Sequence, residues 1–138
     1  MVHKHISGQF LATALATLAN GITAKDGSEF TSRAINIENV DYIAVQLVAT
    51  GADALIAGDI TAYFAGSPNK TKAWDTFNDT SQAFASATLT MTTNAVERHS
   101  SLIDVRGLAW IKLMALANAA GKGITSANVA YGRSVEIG

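Results

Sequence analysis

Hydrophobic and polar positions alternate with a period of two along much of the chain. Ile35 and Ile37 alternate with Asn36 and Glu38. Ile43, Val45 and Leu47 alternate with Ala44, Gln46 and Val48, and Leu89 and Met91 with Thr88, Thr90 and Thr92. That period sends successive side chains to opposite faces of a strand. The β-branched residues in these runs suit a pleated surface. The segment 108–117 is apolar on both faces except at Lys112, so it reads as a strand covered on both sides, with Trp110 in the core. Its Leu, Met and Ala also suit a buried helix. Residues 10–19 leave the same choice open: alternating threonines favour a strand, the alanines a short helix.

Turn residues fall at strand spacing. Asn20-Gly21 and Asp26-Gly27 are hairpin-type dipeptides. Gly51 with Asp53, Gly58 with Asp59, Pro68-Asn69, Gly107, Gly121-Lys122-Gly123 and Gly132 punctuate the rest. Strands are expected at 10–18, 30–38, 42–50, 57–65, 86–93, 99–105, 108–117, 124–131 and 133–137. Eight to nine short strands in this pattern predict an all-β fold, an antiparallel, jelly-roll-like β-sandwich with one long loop at about 67–85. Residues 1–9 are expected as an N-terminal arm and 10–138 as a single sandwich domain. Residues 37–66 faintly echo 103–132, matching Ile37 with Ile103, Leu47 with Leu113 and Gly66 with Gly132. Each half runs through an acidic turn residue (Asp41, Asp104), a strongly apolar strand, a Gly/Ala loop and another strand. This predicts two similar units within one domain.

Composition narrows the function. The chain has 138 residues, enough to bury a sizeable core without staples. It has no cysteine, which removes disulfide and thiol chemistry. A formal net charge of −1 excludes a strongly basic polymer binder. Charged residues make up 15% of the chain, against about 25% in average domains, so the protein either has a small free surface or covers part of it with partners. No apolar run reaches membrane-spanning length. His3, Lys4 and His5 before the apolar 10–19 loosely imitate a secretory leader, but Ser7, Gly8, Gln9 and the threonines interrupt it. We expect synthesis in a reducing cytoplasm and no membrane association.

Catalytic equipment is sparse. The three histidines are His3, His5 and His99, and no nucleophile elbow is present. His99, Ser100 and Asp104 offer the atoms of a triad, but strand geometry points neighbours to opposite faces. His3 and His5 lack a third nearby ligand, so no metal site is expected. Asp75, Asn78 and Asp79 read as turn residues rather than a cation loop. Gly121-Lys122-Gly123 reads as a β-turn, since no helix follows to hold a phosphate. Lys70 and Lys72 form a basic pair offset by Asp75 and Asp79, so no nucleic-acid partner is expected. No enzyme activity and no cofactor are expected.

Surfaces remain. Trp74, Phe77 and Phe84 lie in the long loop and either cap the core or meet a partner. Abundant alanine lets sheets or subunits approach closely with little loss of side-chain entropy. With the low charge, this predicts a homo-oligomer.

Residues 35–47 and 102–113, the latter with the pattern Ile-Asp-Val-x-Gly-Leu-x-x-Ile-Lys-Leu, resemble strand pairs of small β-sandwich structural proteins of tailed bacteriophages. The resemblance covers roughly 35–132 and implies a capsid decoration, or cement, protein: a trimer seated on the major capsid protein at the virion surface and made in the host cytoplasm. In that family an N-terminal arm runs along the shell, which marks His3, Lys4 and His5 as partner contacts beside Trp74, Phe77 and Phe84. The alternative is a carbohydrate-binding or adhesin module of a phage tail or secreted protein, which needs Trp74 exposed in a polar groove.

Overall fold

The computed structural model describes residues 2–72, 74 and 77–137, the last three of these in backbone only. Among the described residues the fold is nearly all β. The strands are β1 (Val2–Gln9), β2 (Thr23–Lys25), β3 (Ala34–Asn36), β4 (Tyr42–Gly51), β5 (Gly58–Ser67), β6 (Ala85–Met91), β7 (Val96–Asp104), β8 (Trp110–Ala119) and β9 (Ile124–Ile137). They form two antiparallel sheets, one ordered β1-β9-β4-β7 and the other β2-β8-β5-β6, with β3 also paired to β8. The chain repeatedly crosses between the sheets, with β4·β9 and β5·β8 as central pairs. This is the expected all-β antiparallel sandwich. The echoing halves carry β4–β5 and β8–β9, which pair with each other inside the sheets, β4 with β9 in one and β5 with β8 in the other.

The alternation read from the sequence sets the inner face. Ile43, Val45, Leu47 and Ala49 of β4 are buried, as are Ile60, Ala62 and Phe64 of β5 and Ile111, Leu113 and Leu116 of β8. Phe10 closes one end of this core, its ring 5.5 Å from Phe64 and 5.4 Å from Tyr131. The β5–β8 register shifts between Tyr63 and Phe64, so Met114 is an extra residue on β8. That bulge puts Met114 and Ala115 together on the outer face, where Ala65 and Phe77 bury them and Trp74 packs alongside. β8 is therefore covered on both sides, by the opposite sheet and by the chain's own long loop.

Several expectations need correction. Residues 2–9, expected as an arm, run antiparallel to β9 in unbroken register from Val2–Ile137 to Gln9–Ala130. None of the eight is buried, and an edge strand with both faces open shows no hydrophobic alternation. Residues 10–18 form neither strand nor helix. Leu11 and Leu18 turn inward, and isolated bridges from Leu15 and Leu18 to Ala127 and Ile124 continue along β9 where β1 ends. The strand expected at 30–38 shrinks to β3, and β2 is too short to announce itself. Gly132 does not break β9: the His5 imidazole lies over it, and a Cβ there would meet His5 Cε1 at 2.9 Å. Trp110 is half-buried on the outer face, not in the core. Its Nε1 donates to Lys70 O at 2.9 Å, and Lys72 Nζ stands 4.5 Å from its ring centre.

One buried polar residue fastens the irregular segment. Asn118 Nδ2 donates to Leu18 O and Lys122 O, and its Oδ1 accepts from Ala120 N, each at 2.9 Å. Leu18 O also accepts from Ile124 N, but Lys122 O and Ala120 N are loop backbone groups that Asn118 supplies with a partner.

Candidate interaction surfaces

The two sheets present different outer faces. On the sheet β1-β9-β4-β7, register aligns Ser7, Gly132, Ala44 and Leu102 in one row across all four strands. Gly132 and Ala44 are small and floor a shallow open groove of about 470 Å³, walled by His3, His5, Tyr42 and Leu102. Leu102 is 70% exposed, Val96 50% and Tyr42 45%, so this face leaves large apolar groups in water. Val48, Gln46 and Ser100 continue it, with Gln46 Nε2 donating to Ser100 Oγ at 3.2 Å. At the lower corner Arg106 grips both carboxylate oxygens of Asp104, at 2.6 Å from Nη2 and 3.0 Å from Nε. The guanidinium also lies 5.4 Å from the Tyr42 ring centre and so fixes that wall of the groove. The bond with Arg106 holds the Asp104 carboxyl below the usual range and raises the guanidinium.

The other outer face is roofed. The described part of the loop between β5 and β6 lies over β5 and β8, with Phe77 buried against Met114 and Tyr63. Beneath it Lys112 is enclosed: Nζ donates to Asp26 Oδ2 at 2.6 Å and stands 4.8 Å from the Trp74 ring centre. Asp26 Oδ1 accepts from Ser32 N at 2.7 Å, and Ser32 Oγ accepts from Leu113 N at 3.0 Å. The one charge in the apolar β8 run therefore ties the β2–β3 connection to the sheet. Past this roof, Asp79 and Gln82 form a capping box on the 3-10 turn Thr80–Gln82.

The expected contact residues do not form one site. His3 and His5 share a groove on the open face, and Lys4, between them in an alternating strand, points the other way. Trp74 and Phe77 lie together over the opposite sheet. Phe84, 40% exposed, sits apart beside Gly66 at the margin of β5. The triad atoms do not assemble: Ser100 bonds to Gln46 and Asp104 to Arg106, while His99 alternates to the other face of β7. Asp75, part of the weighed cation loop, lies outside the described residues. Among the described residues no group of three or more His, Asp or Glu is placed to hold a metal ion. Tyr42, Ala44, Leu102 and Gly132 were not singled out by the sequence, because they meet only through strand register. Leu102 alone left a signal, since it adjoins Ile103 in a strand and both cannot face the core.

No family model matches the chain, and no curated protein matches it. Among solved structures it is similar to the SPBc2 prophage-derived protein YomS, at 10% identity and TM-score 0.48, over 98% of this chain and 96% of that one. It is similar to the PRD1 vertex protein P5 at 11% identity and TM-score 0.49, over 97% and 96% of the two chains. It is similar to VP2 of the infectious bursal disease virus subviral particle at 13% identity and TM-score 0.49, covering 97% of this chain but 33% of VP2.

Proposed function

We propose that the chain is a structural protein of a virus particle, of the capsid-decoration type, which binds the outer surface of a phage head as an oligomer and performs no catalysis. The open face of the sheet β1-β9-β4-β7 carries this reading. It offers a broad field of small and apolar side chains, with Leu102, Val96 and Tyr42 exposed, on a chain poor in charge. Burying such a face gains roughly 25 cal/mol per Å² of apolar area. Repetition over many copies makes weak single contacts count at a seam between shell subunits. His3 and His5 belong to this contact as walls of its groove. The trimer and the major capsid protein as partner come from the family resemblance.

The test is co-sedimentation of the chain with phage heads lacking it. Ala44→Glu and His5→Glu place charge on the open face without touching the core, and each should lower occupancy about tenfold, as expected for a desolvated charge in an interface. Occupancy equal to wild type in both would reject the reading. The carbohydrate-binding alternative needs an exposed indole beside polar groups, whereas Trp74 is half-buried with Lys112 against its ring. That removes its main support.

A further inference from the structure

We propose that β7 pairs with β7 of a second copy of this chain, antiparallel about a two-fold axis through Ser101, joining two four-stranded sheets into one of eight strands. The inference rests on reading the chain as an assembly subunit and sets a two-fold contact in place of the trimer that the family resemblance implies.

β7 ends its sheet, paired on one side to β4 and on the other to no strand among the described residues. Its register with β4 runs unbroken from Tyr42–Asp104 to Thr50–Val96, without a bulge to blunt the edge, and no proline interrupts it. Most of its side chains are exposed. Such an edge is a template for another strand.

The charges choose the strand and its register. Arg98, Ser100, Leu102 and Asp104 lie on the open face, opposite Val48, Gln46, Ala44 and Tyr42. About an axis at Ser101, Arg98 of each copy falls opposite Asp104 of the other, and Ser100 opposite Leu102. Directly opposed side chains have Cβ atoms about 4.5–5.5 Å apart, within easy reach of an ion pair. Arg98 makes no ion pair with any described residue of its own chain, and in the dimer it would join the Asp104 carboxylate as a second cation beside Arg106, which already bonds it through N, Nε and Nη2. Two equivalent charge pairs thus flank the axis. Leu102, 70% exposed in the single chain, gains cover from Ser100 and from its own symmetry mate on the diagonal. Moving the axis by one residue to Ser100 would set Arg98 against Leu102 and Asp104 against Val96, forfeiting both pairs.

The other edges lack this complementarity. β1 carries His3, Lys4 and His5 with no acidic residue, β6 carries no charge, and β2 and β3 span three residues each. A seam of one strand pair lies at the small end of protein interfaces, so the dimer forms with a dissociation constant of about 10–500 μM.

Sedimentation velocity across about 1 μM to 1 mM, at low and high salt, tests the pairing. The wild type should shift from 14.4 kDa toward twice that mass, more readily at low salt. Arg98→Asp opposes like charges twice and should weaken association about tenfold or more, while the swap Arg98→Asp with Asp104→Arg, made with Arg106→Asp so that residue 104 keeps a partner in its own chain, should restore it to within about threefold. Backbone amides of 98–104 should gain hydrogen-exchange protection with concentration, and circular dichroism checks that each variant is folded. A wild type at 14.4 kDa throughout, a trimer indifferent to Arg98→Asp, or a swap without restoration overturns the proposal. A wild type that stays single yet binds heads overturns the edge pairing alone. A wild-type dimer whose Ala44→Glu and His5→Glu variants bind heads normally overturns the proposed function alone.

Discussion

The enclosed Lys112–Asp26 pair gives the most direct test of how the roofed face is held. The side chains are 14% and 15% exposed, so neither charge is well solvated, and the pair is closed at 2.6 Å. Asp26→Ala leaves the ammonium of Lys112 in a nearly dry site with, among the described residues, the Trp74 ring against it, and also strips Ser32 N of its acceptor. Removing one partner of a buried pair costs about 3–5 kcal/mol, and the residual exposure here points to the lower end, about 3 kcal/mol. Lys112→Met keeps the aliphatic stem and removes the charge. It leaves Asp26 bonded to Ser32 N, so about 2 kcal/mol is expected. The double variant removes both charges and leaves no unpaired ion. Its cost should fall short of the summed single costs by about 2 kcal/mol, the coupling expected of residues in direct contact. Urea unfolding followed by far-ultraviolet circular dichroism measures all three against wild type. Additive costs, within about 0.5 kcal/mol, would refute the claim that the pair acts as a unit.

Other expectations follow from the same structure. Asn118→Ala removes three hydrogen bonds and orphans Lys122 O and Ala120 N, while Leu18 O keeps Ile124 N as a donor; at about 1 kcal/mol for each bond it should cost about 3 kcal/mol in a urea titration, with faster amide exchange across 18–22. Gly66→Val should lower the melting temperature by several degrees, because even a Cβ at 66 would lie 2.7 Å from Leu108 Cδ1 and 3.2 Å from Phe84 Cδ1; Gly107→Val has no such neighbours and is strained instead by its φ of 86°. Hydrogen bonds from Thr92 hold the Glu97 carboxyl below its ordinary 4.5, and Arg106 holds Asp104 below its ordinary 3.8. Depressed folded-state values contribute stability that is fully present above the unfolded values and lost as pH falls through the folded ones, so melting temperature should decline on acidification below about pH 4.5. Glu97→Gln should flatten part of that decline, and an unchanged acid profile would contradict the assignment.

What was legible in the sequence follows from which faces are dry. β4 is buried on one face and open on the other, so Ile43, Val45 and Leu47 announced it. β8 is dry on both faces, and its apolar run said so, although that run could not tell core from roof: Trp110 belongs to the outer side, under Lys72 and the 68–72 backbone. β1 buries nothing and left no pattern, so it read as an arm although backbone bonds hold it to β9. The 10–18 segment misled for a different reason. Leu15 and Leu18 are placed by single long-range bridges to β9, and no local period encodes a partner more than a hundred residues away. The open groove was half legible. His3 and His5 are two apart and so share a face, but Ala44, Leu102 and Gly132 come from three strands that only register brings together.

The contrast between the two outer faces also decides where association is cheap. A partner approaching β5 and β8 must first displace Phe77 from Met114 and Tyr63 and separate Trp74 from Lys112. Exposing a buried aromatic alone costs about 1.5–3 kcal/mol before any new contact forms. A partner approaching the sheet β1-β9-β4-β7 displaces only water. Its floor of Gly132 and Ala44 has no rotamers to lose, and its larger walls are partly fixed beforehand, Tyr42 by the guanidinium of Arg106 and Gln46 by Ser100. Pre-ordering of that kind lowers the entropic cost of binding, so equal contact area yields tighter binding on the open sheet than on the roofed one. By spending its own aromatics on β8, the roof closes one sheet and leaves the other, with its β7 edge, as the surface that the proposed association would use.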